Sequence, residues 1–265
     1  MSLTVGTWNI NSVRLRAGLV ERVLTEHAPD VLCLQETKCP DQHFPAAPFR
    51  ALGYTHQAIS GQKGYHGVAI LSRVPLKDVT CRPFCDKGDA RHVAATLPNG
   101  IEVHNFYVPA GGDVPDRELN PKFAHKLDFL NEIAEWTAGW AADGRPRVLV
   151  GDLNIAPLEE DVWSHKQLLK VVSHTPIEVA HLTRVQEVGQ WVDAMRHFVP
   201  PPERLYTWWS YRSSDWAAAD KGRRLDHVWT SPGLAPALRA GRVVKDARGW
   251  ERPSDHVPVL VTLDA

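Results

Sequence analysis

The residues best suited to chemistry stand at the ends of apolar runs. Asn9 and Asn11 follow Leu3-Thr4-Val5-Gly6-Thr7-Trp8, Glu36 closes Val31-Leu32-Cys33-Leu34-Gln35, and Tyr107 ends another such run. Asp152 and Asn154 follow Val148-Leu149-Val150-Gly151, Asp226 opens the run to Trp229, and Asp255-His256 precede Val257-Pro258-Val259-Leu260. Loops held by rigid strands are the usual place for catalytic groups. Singly, each residue has an ordinary structural explanation: Asn9 and Asn11 suit turns, Gly151-Asp152 suits a β-turn, and Ser254-Asp255 suits a helix cap. Together, Glu36, Asp152, Asp226 and Asp255 form a set of hard oxygen donors that fits Mg²⁺, or Mn²⁺, better than zinc. Zinc would want Cys or His at close spacing, and Cys81 and Cys85 have no second pair. A metal-held phosphate needs an activated water and charge stabilisation. An Asp with a His polarises the water, Asn amides donate to the oxygens, and Tyr107 adds one more donor.

The elements that must position these groups read as follows. Leu3–Asn9 alternates like a strand, and Ser12 is placed to cap a helix through Leu15, Leu19, Val23 and Leu24 that ends near Pro29. Val31–Glu36 and Arg147–Asp152 are short apolar runs typical of buried strands. Tyr54–Ile59, Gly67–Leu71, His92–Leu97 and Ile101–Val108 predict further strands, the last two joined by the turn Pro98-Asn99-Gly100. Phe123–Ala141, Val179–Gln186 and Val192–Phe198 read as helices, and Leu225–Thr230 and Val257–Leu263 as strands. Hairpins mixed with helices point to a layered α/β or α+β architecture rather than a doubly wound sheet. With no Pro/Gly/Ser linker and no repeat, a single domain over residues 1–265 is expected.

Composition narrows the classes. The 265 residues are 43% hydrophobic and 23% charged, which excludes a disordered or fibrous chain. No run approaches the ~18–20 apolar residues of a membrane span. The start carries no export signal, and four cysteines read as reduced thiols, so a cytoplasmic protein is expected. The net charge of −1 rules out a polycation, yet Arg204–Arg252 holds ten basic residues against five acids, enough for a local face that meets phosphates.

Five blocks, in order, carry a resemblance: Trp8-Asn9-Ile10-Asn11-Ser12-Val13-Arg14, Leu34-Gln35-Glu36-Thr37-Lys38, Gly151-Asp152-Leu153-Asn154-Ile155-Ala156-Pro157, Leu225-Asp226-His227 and Ser254-Asp255-His256-Val257-Pro258. Gly61-Gln62-Lys63-Gly64-Tyr65-His66-Gly67 and Asn105-Phe106-Tyr107-Val108-Pro109 add two more. The chain resembles the exonuclease III family of abasic-site endonucleases, within the endonuclease/exonuclease/phosphatase superfamily, from about residue 3 to 263.

The resemblance implies a four-layer α/β sandwich, two mixed β-sheets flanked by helices with the site at one rim. It implies Mg²⁺ (Mn²⁺ possible) at Glu36, with Asn11 close by and Asp255 on the metal or leaving-group side. Asp152 would activate or position water, Asn154 and Asn9 would orient water and phosphate, and Tyr107 would contact the phosphate. His256 would act as a phosphate contact or base, oriented by Asp226. Which of Asp152 and His256 takes the proton, and whether one metal or two act, the resemblance leaves open. The implied reaction is hydrolysis 5′ to an abasic site, with 3′ to 5′ exonuclease and 3′-end cleaning on double-stranded DNA by a monomer. Arg14, Gly64, Tyr65 and Arg212 are the implied DNA contacts.

Tyr206-Thr207-Trp208-Trp209-Ser210-Tyr211-Arg212 resembles the family's aromatic stretch. Alternation puts Trp208 and Trp209 on opposite faces; Trp208, with Leu225 across from it, is the candidate for the flipped-sugar pocket that the resemblance implies, and Trp209 the candidate for the core. Two departures stand out. Ala110 replaces an amide that relatives use on phosphate. Arg223 stands where relatives have an apolar residue near the sugar pocket; it would reach the DNA backbone instead, with Trp216 taking over the apolar role. The competing readings are a metal-dependent phosphodiesterase or phosphatase on a small molecule or lipid headgroup, and a non-catalytic DNA-binding module, which would have lost Asp152, Asn154 or His256.

Overall fold

The computed structural model describes residues 2–264. Two six-stranded sheets form its centre. The first has the order β13 (Leu238–Val243), β14 (Val259–Asp264), β1 (Ser2–Asn9), β2 (Val31–Gln35), β4 (Val68–Ser72), β3 (His56–Ser60). The second runs β5 (Lys77–Thr80), β6 (His92–Thr96), β7 (Glu102–Tyr107), β8 (Arg147–Asp152), β12 (Asp226–Thr230), β9 (Val192–Asp193). β10 (Trp208–Trp209) and β11 (Gly222–Arg223) pair separately. Each large sheet is mixed. β1 and β2 are parallel, joined across α1 (Ala17–Glu26), and β7 and β8 are parallel, joined across α3 (Pro121–Thr137). The remaining pairs are antiparallel. The architecture is the four-layer sandwich that the resemblance implied.

The alternation of strand side chains explains both the layers and the site. Leu3 and Val5 of β1, Val31 and Cys33 of β2, Val103 of β7, Val148 and Val150 of β8, and Val228 of β12 meet in one apolar core between the sheets. Each such fully buried side chain contributes roughly 1.5–3 kcal/mol. The intervening residues face outward: Trp8, Leu32 and Leu34 pack with α1 and α2 (Ala46–Ala51), while Phe106, Leu149 and Trp229 pack with α3 and α5 (Pro176–Val188). Followed to one edge of the sandwich, the inward series of these strands ends on Asn9, Gln35, Tyr107, Asp152 and Asp226. The register sets Asn9 opposite Gln35, and Asp152 between Tyr107 and Asp226. All five therefore reach the same rim.

Short helices α4 (His165–Leu168), α6 (Ala194–Phe198) and α7 (Trp216–Ala219) complete the outer shell. Local chemistry explains most boundaries. Asn120 caps α3 ahead of Pro121, and Thr175 with Glu178 forms a capping box on α5 ahead of Pro176. No helix is long and apolar enough to cross a membrane.

Several expected boundaries move. Ser12 does not cap α1; it and Asn11 take positive φ, and the helix begins at Ala17 after Arg16. Val192–Asp193 is an edge strand on β12, and the Asp193 side chain caps α6 from Ala194. β14 begins at Val259, two residues after the expected start, because Val257 pairs instead with Thr207. β5 and β13 were not expected.

Gly151 lets β7 and β8 approach closely. Its φ is +147°, and a Cβ there would lie 1.9 Å from the Phe106 carbonyl oxygen. Gly151→Ala is expected to cost about 2 kcal/mol by overpacking, lowering the melting temperature by roughly 4–8 °C. An unchanged thermal transition would refute this account of the strand contact.

Candidate active site

At the rim, the Asn9 side-chain amide donates to two carboxylates, Glu36 Oε1 at 2.9 Å and Asp152 Oδ2 at 2.8 Å. Glu36 follows β2 in the first sheet and Asp152 ends β8 in the second, so one amide from β1 ties the two sheets together at the site. The Tyr107 hydroxyl donates to the same Glu36 Oε1 at 2.8 Å. Asn154 donates its backbone N–H to Asp152 Oδ1 (2.9 Å) and its amide to Asp152 Oδ2 (3.2 Å) and to the Val108 carbonyl (2.9 Å). Asn11, Glu36 and Asn154 all have φ near +50°. The chain thus turns sharply at each strand end, a conformation uncommon outside glycine.

His256 lies between two carboxylates. Its Nδ1–H donates to Asp226 Oδ2 at 2.8 Å, and Nε2 faces Asp152 Oδ2 at 3.7 Å. Asp226 Oδ2 also accepts from Thr207 Oγ1 at 2.6 Å, and the Trp8 indole holds the His256 carbonyl at 2.9 Å. Burial would lower the His256 pKa, but Asp226 and Asp152 outweigh it and raise it to about 10. Burial pushes Asp152 up to about 7, against the opposing pull of His256. Burial also acts to raise Glu36, yet Lys38 and the Asn9 hydrogen bond hold it below the ordinary carboxyl value. Tyr107 is held protonated by burial and by its two carboxylate neighbours, so it serves as a donor. The site is a charge-alternating cluster.

Two places are suited to a cation. Ligand atoms of Asp152, Asp226 and His256 lie within 4.8 Å of one another, although both His256 nitrogens already face carboxylates. The second is marked by Lys38, whose ammonium lies 2.8 Å from Glu36 Oε2 and 2.7 Å from Asn11 Oδ1. Asn11 in turn donates to Asp255 Oδ1 at 3.2 Å. A positive group already sits among hard oxygen donors here, which is the environment a divalent ion of the Mg²⁺ class requires.

A cavity of about 740 Å³ opens beside this cluster. Glu36, Asn154, Asp255 and His256 line one end, and Trp163, Trp208, Trp216, Arg223 and Leu225 line the rest. Residues 207–209 run beside 255–257, and the Trp208 indole donates to Asp255 Oδ2 at 2.9 Å. Trp209 is buried, as alternation required, with Trp216 against it at 5.4 Å. Ala110 and Arg212 stand on the cavity rim. Arg14, Gly64 and Tyr65 are not drawn into the cluster. Arg14 is exposed on the turn before α1, and the loop carrying Gly64 and the 72% exposed Tyr65 reaches the site through His66, whose ring faces Tyr107.

Sequence reasoning missed three basic residues. Lys38 sits inside a recognised block, but its pairing with Glu36 depends on a left-handed turn. Arg16 is buried and braces the Asn11 loop through the Asn11 carbonyl, the Arg252 carbonyl and Tyr211. Lys126, fully buried and ion-paired with Glu178, donates to the Asn154 carbonyl at 2.8 Å.

The family model described as Endonuclease/Exonuclease/phosphatase family matches residues 6–256. Exodeoxyribonuclease III of Haemophilus influenzae is 31% identical over 264 residues, spanning 96% of this chain and 97% of that protein. The chain belongs to the exonuclease III/AP endonuclease family. Two solved structures of similar proteins match it at a TM-score of 0.91, each over 99% of this chain and 100% of theirs. One is an AP endonuclease from Archaeoglobus fulgidus at 33% identity; the other is the 3′ phosphatase NExo from Neisseria, bound to product DNA hairpin, at 34%. Within this exonuclease III frame, the polar rim described above occupies the ends of the central strands of both sheets.

The charge alternation is directly measurable. In metal-free protein, the His256 ring is expected to stay protonated beyond pH 8, and Asp226→Asn to bring its titration down by about 1–3 units, the effect of one close carboxylate. Histidine NMR titration reads this. An unshifted His256 in the variant would show that Asp226 does not set its charge.

Proposed function

We propose that this protein is a metal-dependent DNA-repair phosphodiesterase that hydrolyses the phosphodiester 5′ to an abasic site and removes nucleotides or blocking groups from 3′ ends of double-stranded DNA. The observation that carries the reading is the single Asn9 amide joining Glu36 to Asp152, with His256 and Tyr107 beside them, at the mouth of an aromatic and basic cavity. Family membership gives it the chemical class.

Glu36 would hold Mg²⁺, or Mn²⁺, with Asn11 and Asp255 next to it. When bound, the ion supplies Lewis-acid neutralisation of charge on the phosphate oxygens. Asp152, its pKa raised to about 7, is suited to take a proton from the attacking water. His256 carries its proton to about pH 10, so it acts as a donor to a phosphate oxygen rather than as the base. Asp226 holds the ring, while Asn9 and Asn154 orient water and phosphate. Tyr107 adds a hydroxyl donor. The water oxygen bonds to phosphorus as its proton passes to Asp152, the P–O3′ bond breaks, and the 3′ oxygen takes a proton from solvent to leave as a hydroxyl. Trp208 and Leu225 form the apolar wall for an extruded sugar. Arg212, with Arg14 and the Gly64–Tyr65 loop further out, meets the DNA backbone. The working unit in this reading is a monomer.

An abasic-site duplex incubated with the protein and Mg²⁺ is expected to show one nick 5′ to the lesion. Intact duplex beside a cleaved small phosphodiester would overturn the reading. Asp152→Asn is expected to lower the rate by about 10²–10⁴-fold, the worth of a general base, with DNA binding retained. Glu36→Ala is expected to raise the Mg²⁺ concentration needed for half-maximal rate. Arg212→Ala is expected to weaken DNA binding and lower its salt dependence by about one phosphate contact; an altered melting temperature instead would assign Arg212 to the fold.

A further inference from the structure

The buried Arg16 spends its guanidinium on two chain segments that flank the cation side of the site. Its Nε donates to the Arg252 carbonyl at 2.9 Å and its Nη1 to the Asn11 carbonyl. Both of those residues are left-handed, with φ of +49° and +47°, and Ser12 follows at +85°. Residues other than glycine hold that conformation only where their surroundings impose it. One side chain therefore fixes the turn that presents Asn11 and the turn that leads to Asp255. Nη2 donates to the Tyr211 hydroxyl at 3.1 Å, and that hydroxyl donates to the Pro253 carbonyl at 2.7 Å. The Tyr211 ring lies against the buried Arg248, whose guanidinium carbon is 5.0 Å from the ring centroid.

The two segments meet where Asn11 Nδ2 donates to Asp255 Oδ1 at 3.2 Å. Lys38 joins the same group, 2.7 Å from Asn11 Oδ1 and 2.8 Å from Glu36 Oε2. Nearer the strands, Ser254 Oγ donates to the Asn9 carbonyl at 2.7 Å. A single attachment leaves two segments free to pivot about it. The Arg16–Tyr211 pair supplies a second, at Asn11, Arg252 and Pro253, and so removes that freedom. Groups that orient metal ligands from behind in this way tune the affinity of the site without touching the ion.

Resting on the function proposed above, we propose that Tyr211 is a positioning residue for the divalent cation. Its hydroxyl, held between Arg16 and the Pro253 carbonyl, keeps the Asn11 and Asp255 segments in place beside Glu36 to receive the ion. The role belongs to the hydroxyl and not to the ring. Its single proton is committed to Pro253, so it has none to donate to a DNA phosphate. A phenylalanine at this position keeps the ring against Arg248 and leaves one guanidinium N–H and one carbonyl without their partner.

The test is a calorimetric titration of the full chain with Mn²⁺ in the absence of DNA, the Glu36 site being the binding that is lost in Glu36→Ala. Tyr211→Phe is expected to raise the Mn²⁺ dissociation constant of that site by about 10-fold, the worth of an outer partner of a metal ligand. In metal-free protein, the Ser12 and Val13 amides bond the Glu36 and Thr37 carbonyls. They are expected to exchange faster in the variant, while the β1–β2 ladder keeps its protection. On an abasic-site duplex the variant is expected to need about 10-fold more Mg²⁺ for half-maximal rate. Its kcat recovers at saturating Mg²⁺, and its KM for DNA stays that of the wild type. Unchanged Mn²⁺ affinity, or unchanged exchange of the two amides, overturns the proposal. A raised KM for DNA or a lowered melting temperature as the sole effect overturns it too, as does a wild type with no Glu36-dependent Mn²⁺ binding. A wild type that binds Mn²⁺ but cuts no DNA refutes the proposed function, and the titration still decides the positioning.

Discussion

One amide holds two carboxylates that would otherwise repel. Asn9 donates to Glu36 and to Asp152, which belong to different sheets, and the polar rim is organised around that bridge. Positive groups stand on the far side of each acid, Lys38 beyond Glu36 and His256 beyond Asp152, so negative and positive charges alternate across the opening. Burial alone would neutralise such carboxyls; their neighbours divide them, keeping Glu36 ionised and leaving Asp152 near neutrality in its titration. A site that has to receive both a cation and an anionic ester needs groups of both signs fixed before either arrives.

The bridge is possible because the sheets are locked just beneath it. Gln35 donates to Asn105 at 2.7 Å across the interface and to Thr7 at 2.9 Å, while Asn105 donates to the Leu34 and Ala69 carbonyls of the first sheet. These amides form a polar layer between the valine core and the rim. The donors of both buried amides are paired, while Gln35 Oε1 has no partner among the described residues, and the paired donors fix one relative placement of the sheets. The Lys126–Glu178 pair plays the same part on the outer side, holding the Asn154 carbonyl from behind while Asn154 faces Asp152.

Much of this was legible in the residues themselves. Val31–Gln35 and Arg147–Asp152 are central strands covered on both faces, so they read as unbroken apolar runs, and the polar residues closing them stood out. Trp209 is buried as expected of the core member of its pair, although it lines the cavity together with Trp208. Edge strands were harder: β5 is exposed along its whole length and β13 along much of it, so neither carries an apolar stripe. Ser12 has a good capping residue's chemistry, yet its positive φ serves the turn that aims Asn11. Lys38, Arg16 and Lys126 were invisible as site residues because their partners lie on distant segments or across left-handed turns, and linear spacing encodes neither.

The reach of the bonds around His256 has a further consequence. Trp8 holds its carbonyl across 248 positions, and Asn9 meets Asp152 across 143. Contacts so distant in the chain form late, once shorter loops have closed. No short stretch of this polypeptide therefore assembles the polar rim by itself. Parting the two sheets separates Asn9 from Asp152 and takes the cluster apart even where each sheet keeps its own strands.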